Sequence, residues 1–491
     1  MKLKQLLPKV KFSGKAINTT IRGISDDSRY VSSGDLFFIM ERKNFDIYSA
    51  LKDIEPKIAA FVAETTQQRR LKGLLKNKPI IFVTGVKEHF KRAVDIFYGF
   101  KKNNFKFIGI TGTNGKTTTA YLIYHILNKM QKKAALIGTI KYHLGSFTCQ
   151  ASNTTPGFLV LRKLFQKAKQ KKINFIIMEV SSHAIEQNRI SGINFSRCIF
   201  TNLSQEHLDY HKTMGKYFAA KKKLFLNNKT SLAIINTDDT YGKKLFSGLS
   251  RRLSFGIKAK AQFKADNVIL DSKGTKFTLR IFTKTYSVKT SLLGMPNVLN
   301  ILAAAATLYS LGFSLKKIIE AVASFKPVKG RLEKAAKDIF VDYAHTPDAL
   351  EKVFLTLRDI GYERIICVFG CGGDRDRSKR SLMGKISSKY AYFTFITSDN
   401  PRSEDPVLIS SQIESGFFNS NYAVVLDRKK AIFQAIKLFY QEKSIDPNRN
   451  VCLLVAGKGH EDYQIIGNKK IFFNDSNSIK EIVRNYKFSN K

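Results

Sequence analysis

The run Gly112-Thr113-Asn114-Gly115-Lys116-Thr117-Thr118 brings glycines, a lysine and several hydroxyls together. Glycines leave backbone N–H groups free to point at an anion, a following helix N-terminus adds positive potential, and Lys116 adds a full charge. Thr117 stands where a hydroxyl meets Mg²⁺ beside the β- and γ-phosphates. The spacing departs from the common G-x-x-x-x-G-K-[ST] loop, because Ile110 occupies the place of the first glycine. The Gly-Lys-Thr-Thr ending still reads as a nucleotide-phosphate loop.

Other residues have chemistry open to them. Glu179 ends the apolar run Phe175-Ile176-Ile177-Met178. That is a poor position for a core carboxylate and a good one for meeting Mg²⁺ outside a sheet's carboxyl edge. His207 follows a strand end and is open between a ligand and a capped loop residue. Asn153-Thr154-Thr155, and the pair Asn297 and Asn300, are open between ligand contact and helix capping. Asp27-Ser28-Arg29 is open between a ligand-binding turn and a plain turn cap. By composition, Lys221-Lys222-Lys223 reads as a solvated helix face.

The elements that must position these residues follow from periodicity. Phe105, Phe107, Ile108 and Ile110 read as a buried strand before the glycine turn, and Ile123, Ile126, Leu127 and Met130 as a helix face after it. A first unit, residues 1–102, holds strands around 34–39, 58–63 and 80–83. A second, 103–330, adds strands at 175–178, 198–202 and 232–236, a helix at 217–225 and an alanine-rich helix from Ile301 to Leu311. Gly330-Arg331-Leu332-Glu333 reads as a hinge into a third unit, 331–491. There, apolar strands near 339–341, 365–369, 393–396 and 451–455 each empty into a charged or glycine-rich loop. Those loops are Asp342 to Pro347, Gly370 to Asp376, Thr397 to Glu404 and Ala456 to Tyr463. Strand ends lining one crevice are the layout of an α/β ligand site.

Composition narrows the function classes. With 43% hydrophobic residues the chain can bury real cores, and no apolar run approaches a membrane span. The basic start Met1 to Pro8 lacks the apolar core of a signal peptide. Five scattered cysteines in no metal-ligand spacing fit free thiols in a reducing cytoplasm. The net charge of +44 is spread along the chain with no aromatic-interleaved basic cluster. A polyanionic small substrate accounts for it, and neither nucleic acid nor membrane insertion is expected.

Taken together these motifs resemble the Mur ligases of peptidoglycan synthesis. The resemblance is carried by Thr111 to Thr118, Glu179-Val180-Ser181-Ser182-His183, Glu206 to His211 and Asp342 to Asp348. Cys371 to Asp376, Asp399-Asn400-Pro401-Arg402 and Gly457 to Glu461 narrow it to the branch that adds the third residue of the stem peptide. It runs the length of the chain. It implies a small N-terminal α/β domain for the UDP end, a central P-loop ATPase domain and a mobile C-terminal Rossmann-like α/β domain for the incoming amino acid. It also implies a reaction: ATP phosphorylates a D-glutamyl side-chain carboxylate, and an amine attacks the acyl phosphate.

Residue by residue, the resemblance implies ATP contacts at the phosphate loop, Asn297, Asn300, Arg331, Asp342 and His345. Thr117 and Glu179 would hold one Mg²⁺, with His207 near a second. Lys221 matches a carbamylated lysine, which overrides the solvated-face reading there and leaves it for Lys222 and Lys223. Ser28, Asn153, Thr154, Thr155, Ser181, Gln187 and Arg189 match positions that hold the UDP-muramoyl dipeptide. Arg375, Asp399, Asn400, Pro401, Arg402, Gly457 and Glu461 would receive the amino acid. A guanidinium in Asp-Asn-Pro-Arg suits the second carboxylate of meso-diaminopimelate. L-Lysine or another diamine is the alternative substrate. A folylpolyglutamate synthetase-like ligase and a nucleic-acid-binding P-loop ATPase are the alternative functions. Glu41 to Asp46 departs from the family's Asp-Gly loop, so the uridine contacts there must differ. A cytoplasmic monomer is expected.

Overall fold

The computed structural model describes residues 1–10, 18–41, 46–102, 104–228 and 231–489. The departing loop residues Arg42 to Phe45 lie outside them. Strands Gly23–Ser25, Asp35–Phe38, Ile58–Glu64 and Ile80–Val83 form a parallel sheet in chain order.

An eleven-stranded sheet follows. Its parallel centre runs Arg252–Gly256, Leu232–Asn236, Phe195–Phe200, Lys106–Thr111, Phe175–Glu179, Ala134–Ile137. The phosphate-loop strand Lys106–Thr111 therefore lies deep inside the sheet, and its buried alternation feeds both faces. Ile108 and Ile110 pack with Leu122, Ile123 and Ile126 of helix Lys116–Lys129 and with Ile301 and Leu302 of helix Met295–Ser310. Phe107 packs on the other face with Phe165 and Leu224, from helices Phe158–Gln170 and Met214–Leu226. Each face thus buries apolar side chains, the main stabilising term of such a layer.

Antiparallel pairs lie at both edges: Lys141–Leu144 with Phe147–Gln150, and the meander Phe263–Asp271, Gly274–Ile281, Lys284–Thr290, whose first strand joins Arg252–Gly256 in parallel. The alanine-rich helix begins at Met295, with Pro296 in its first turn, rather than at Ile301. Proline lacks an N–H that the first turn would leave unpaired in any case. Asn297 and Asn300 therefore lie inside the helix, not before it.

The last large sheet has six strands, ordered Glu333–Ala336, Ile339–Asp342, Val451–Ala456, Arg364–Phe369, Phe393–Ile396, Tyr422–Val424. The expected strands occupy its centre. The edge strands Glu333–Ala336 and Tyr422–Val424 and the hairpin Tyr463–Ile466/Lys469–Phe472 are additional.

Buried charges tie the pieces. Arg162, fully buried, donates to Asp95 (2.7 Å) and the Ser191 carbonyl (2.6 Å), with its guanidinium 3.7 Å from the centre of the Phe100 ring. It joins the first unit to the central sheet. Arg428 makes a two-pronged pair with Asp475, both wholly buried, and so anchors the helix Asp475–Ser489. At the hinge, Gly330 has φ +69°, and a Cβ there would run into the Gly459–His460 backbone. Among the described residues no helix is long and apolar enough to cross a membrane.

Candidate active site

The glycine loop leaves its strand through Gly112 (φ 147°) and enters its helix through Gly115 (φ 84°). Left-handed geometry at Gly115 is cheap only without a Cβ. A Cβ there would also collide with the Asn300 amide. Asn300 accepts from the Thr119 hydroxyl (3.2 Å) and donates to Asn297 (3.0 Å), which donates to the Leu293 carbonyl (2.9 Å). The two asparagines thus brace the underside of the loop from within their helix.

Lys116 donates to the carbonyls of Gly112 (2.9 Å) and Thr113 (2.7 Å). Burial pushes its pKa down, while Glu206 and Glu179 push it back up. The Thr117 hydroxyl donates to Glu179 Oε2 (2.9 Å) and accepts from Arg331 (3.2 Å). Thr139 donates to Glu179 twice, from its N–H to Oε1 and from its hydroxyl to Oε2, each at 2.9 Å. Glu179, Thr117 and Arg331 therefore meet at one point beside Lys116, as their spacing in sequence alone could not show.

A second cluster adjoins the first through one carbonyl. Gly112 O accepts Lys221 Nζ at 2.8 Å as well as Lys116 Nζ. Lys221 is 1% exposed, and its ammonium lies 4.5 Å from the Tyr217 ring centre. Among the described residues, no carboxylate lies within ion-pair distance of it. Burial and the neighbouring Lys116 hold its pKa well below the ordinary lysine value. The solvated-face reading fails at Lys221, whereas Lys223 is exposed and Lys222 half-exposed. His207, at φ 57°, lies beside Glu206 (3.7 Å) and His183 (ring centres 4.9 Å). Burial brings the His207 pKa down to about 4, despite the opposing pull of Glu206. Burial raises Glu206, but a hydrogen bond from His345 and the charge of Lys116 outweigh it, so Glu206 stays ionised.

The third unit reaches this site directly. His345 approaches Glu206 at 3.5 Å, and Asp348 Oδ2 accepts from Asn114 (2.6 Å) and Ser204 (2.8 Å) across the crevice. Asp342 accepts from the Leu332 N–H (2.6 Å) at the hinge, and burial raises its pKa.

Most of the residues expected to hold the UDP-muramoyl dipeptide form one hydrogen-bonded patch around Thr155. Its hydroxyl donates to the Glu179 carbonyl (2.8 Å) and accepts from the Ser181 N–H (3.0 Å). Its carbonyl accepts from Arg189 (2.8 Å), which also grips Gln187 through two nitrogens. Thr154 meets Thr139 at 3.2 Å, and the Asn153 backbone is held by Tyr142. The nearby helix is capped by Gly157, so Asn153 to Thr155 are not its caps. Ser28 is not brought into this patch by any hydrogen bond. It opens a short turn in which Asp27 accepts from Arg29, the plain turn-cap geometry.

In the third unit, Asn400 donates to Glu461 (3.0 Å), and Asp399 packs against Gly457, whose φ is +107°. Arg402, half-buried at φ 54°, donates to the Gly373 carbonyl (2.6 Å), and no carboxylate pairs with it among the described residues. Arg375 is exposed and touches only the Asp374 carbonyl (3.4 Å), at the rim rather than in the pocket. Pro401 is buried, with its carbonyl against Gly373.

Sequence reasoning missed Thr139, Glu206, Asp348 and Lys458. Glu206 and Asp348 lay within quoted motifs, and their signal was a carboxylate beyond a strand end, in a loop for Glu206 and in the first turn of the helix Pro347–Asp359 for Asp348. Thr139 carries no such signal, since only the fold brings it to Glu179.

Comparison with known proteins agrees with this geometry. Residues 110–308 match the Mur ligase middle domain, and residues 330–459 match the Mur ligase glutamate ligase domain. The chain is 38% identical to UDP-N-acetylmuramoyl-L-alanyl-D-glutamate--2,6-diaminopimelate ligase 1 of Clostridium acetobutylicum, over 99% of both chains. It is 37% identical to the correspondingly named ligase of Bacillus cereus, covering 95% of this chain and 94% of that one. A solved structure bearing the same ligase name superposes with a TM-score of 0.67 at 27% identity, over 99% of each chain. With two Mur ligase domains matched over residues 110–308 and 330–459, and relatives 37–38% identical over nearly the whole length, the chain belongs to the Mur ligase family.

Proposed function

We propose that this Mur ligase joins meso-diaminopimelate to UDP-N-acetylmuramoyl-L-alanyl-D-glutamate, consuming ATP. The UDP end is assigned to residues 1–102, ATP to 103–330 and the amino acid to 331–491. The observation that carries the substrate reading is Arg402, whose guanidinium reaches the Gly373 and Asn400 carbonyls and, among the described residues, has no carboxylate partner. A diamino acid with a second carboxylate supplies that partner, while lysine leaves the charge unmatched. The names of the full-length relatives support the same reading.

In this reaction a D-glutamyl carboxylate oxygen takes the γ-phosphoryl group of ATP, and ADP leaves. The amine then attacks the acyl carbon, and phosphate leaves as the amide forms. Two anions must approach, so fixed cations are the first requirement. Lys116 and Arg331 converge there, one on the loop carbonyls and one on the Thr117 hydroxyl. Burial keeps His207 neutral at physiological pH, the form in which an imidazole nitrogen can ligate a metal ion. The Thr117 hydroxyl and Glu179 carboxylate are hard oxygen donors on one spot, a set that fits Mg²⁺. When bound, the ion offsets phosphate charge. By the family resemblance, His207 would help to hold a second ion.

Lys221 fits the carbamate assignment on its own surroundings. A buried amine whose pKa is driven down is nucleophilic toward carbon dioxide, and the product is an anion beside Lys116. Protein equilibrated with ¹³C-bicarbonate is expected to show one carbamate carbon signal that Lys221→Ala lacks. A signal that persists in Lys221→Ala refutes the site.

The basic charge is spread over the chain, which supports small anionic substrates rather than nucleic acid. The test is incubation with ATP, Mg²⁺ and the UDP-muramoyl dipeptide, with diaminopimelate or lysine in parallel, reading product mass and ADP release. Diaminopimelate-dependent product is expected, with no stimulation of ATP turnover by DNA or RNA. Product formed only with lysine overturns the substrate reading.

A further inference from the structure

Lys458 is wholly enclosed, at 0% exposure, although it sits in a loop. The backbone turns it inward. It stands between Gly457 (φ +107°) and Gly459 (φ +52°), two left-handed residues that reverse the chain on either side. Its ammonium contacts Asn400 Oδ1 (3.2 Å) and Glu461 Oε2 (3.2 Å). Asn400 Oδ1 also accepts from the Ile465 N–H at 2.9 Å. With two donors on that oxygen, the amide can face only one way, and Asn400 Nδ2 is aimed at Glu461 (3.0 Å).

Charge accounting gives this arrangement a purpose. The pocket holds two nearly buried carboxylates, Asp399 and Glu461, and one unpaired guanidinium, Arg402. Lys458 neutralises one carboxylate equivalent. What remains is one negative and one positive charge, the complement of an amino-acid zwitterion. Without Lys458 the pocket carries excess negative charge, and the amide that separates the two ends is free to flip.

We propose that Lys458 is the positioning residue of the amino-acid pocket, a buried ammonium that holds Asn400 and Glu461 so that the far end of a diamino diacid is received as a zwitterion. The proposal rests on the amide-ligase reading above. Lys458 does not touch the reacting atoms, so its effect falls on amino-acid binding.

The test compares steady-state constants of Lys458→Met and Lys458→Gln with those of the full-length parent protein, alongside melting temperature. In Lys458→Met the KM for diaminopimelate is expected to rise at least about tenfold, as for loss of a hydrogen bond to a charged group. The KM values for ATP and the UDP-muramoyl dipeptide should stay within about twofold, because the ammonium of Lys458 is bonded to Asn400 and Glu461 and to none of the residues assigned to those substrates. Lys458→Gln keeps a donor for Asn400 and is expected to recover part of the loss; it carries the test if Lys458→Met does not fold. An unchanged amino-acid KM in either folded variant overturns the proposal. So does a parallel decline in all three KM values, kcat and melting temperature, the mark of a merely structural lysine. If the parent uses lysine instead of diaminopimelate, the substrate reading falls and the zwitterion proposal falls with it; a parent that uses diaminopimelate, with a KM that Lys458→Met leaves unchanged, overturns the proposal alone.

Discussion

Lys116→Ala is expected to abolish turnover, lowering kcat/KM by at least about a thousandfold, the upper end of what one preorganised donor supplies. The lysine has two jobs that fail together. Its ammonium pins the carbonyls of Gly112 and Thr113, and so fixes the loop whose N–H groups must face phosphate. It is also the cation between Glu179 and Glu206, two carboxylates that otherwise face an incoming triphosphate with net negative charge. The side chain lies on the crevice side of the loop, so the fold should survive, and an unchanged melting temperature would show that it has. The measurement is ADP release with all three substrates present. Activity within about tenfold of the parent would sink the phosphate-loop assignment, since no electrostatic role of this kind is so small.

What could be read from the residue order differed sharply between motif and neighbourhood. The central strands announce themselves because a parallel strand is buried on both faces and so appears as an unbroken apolar run, as in Phe175 to Met178 or Val451 to Val455. The edge strands Lys141–Leu144, Phe147–Gln150 and the meander from Phe263 to Thr290 are wetter and alternate, with lysines on their open faces. A search for unbroken apolar runs passes over them. The helix start at Met295 was placed late because Pro296 and Asn297 look like a cap, although proline is at home in a first turn. The same limit applies to the site. Glycine, lysine and threonine at fixed spacing define a phosphate loop from sequence, because the chemistry is local. The meeting of Gly112 with both Lys116 and Lys221 is not local: residues far apart in the chain share one carbonyl only once the sheet is assembled. The composition of Lys221-Lys222-Lys223 points to solvent, and only helical phase separates the buried member from its neighbours. Asp348 shows the limit most clearly, for its partners Asn114 and Ser204 stand in loops that follow strands of the central sheet.

Arg402→Ala is expected to raise the KM for diaminopimelate roughly ten- to hundredfold, the equivalent of about 1.5–3 kcal/mol for charge-assisted hydrogen bonds. The structure explains why this arginine, rather than Arg375, should dominate. Arg402 is held at its root: its N–H donates to the Ile465 carbonyl (3.1 Å), and its own carbonyl accepts from Gly467 (2.8 Å). Its guanidinium spends one nitrogen on the Gly373 carbonyl and keeps other donors for a ligand. A side chain anchored in this way loses less freedom on binding than an exposed one, so more of its interaction appears as affinity. Arg375 is exposed and unanchored, and its removal should cost less. The expected pattern is selective. Diaminopimelate loses affinity in Arg402→Ala, L-lysine does not, and the ratio between them collapses because the lost donors served only the second carboxylate. Measuring KM for both amines in Arg402→Ala and Arg375→Ala decides it. If the diaminopimelate KM is unchanged in Arg402→Ala, the second carboxylate is read elsewhere, and the specificity argument from Asp-Asn-Pro-Arg has to be abandoned. If lysine and diaminopimelate weaken equally, Arg402 shapes the pocket without selecting between the two amines.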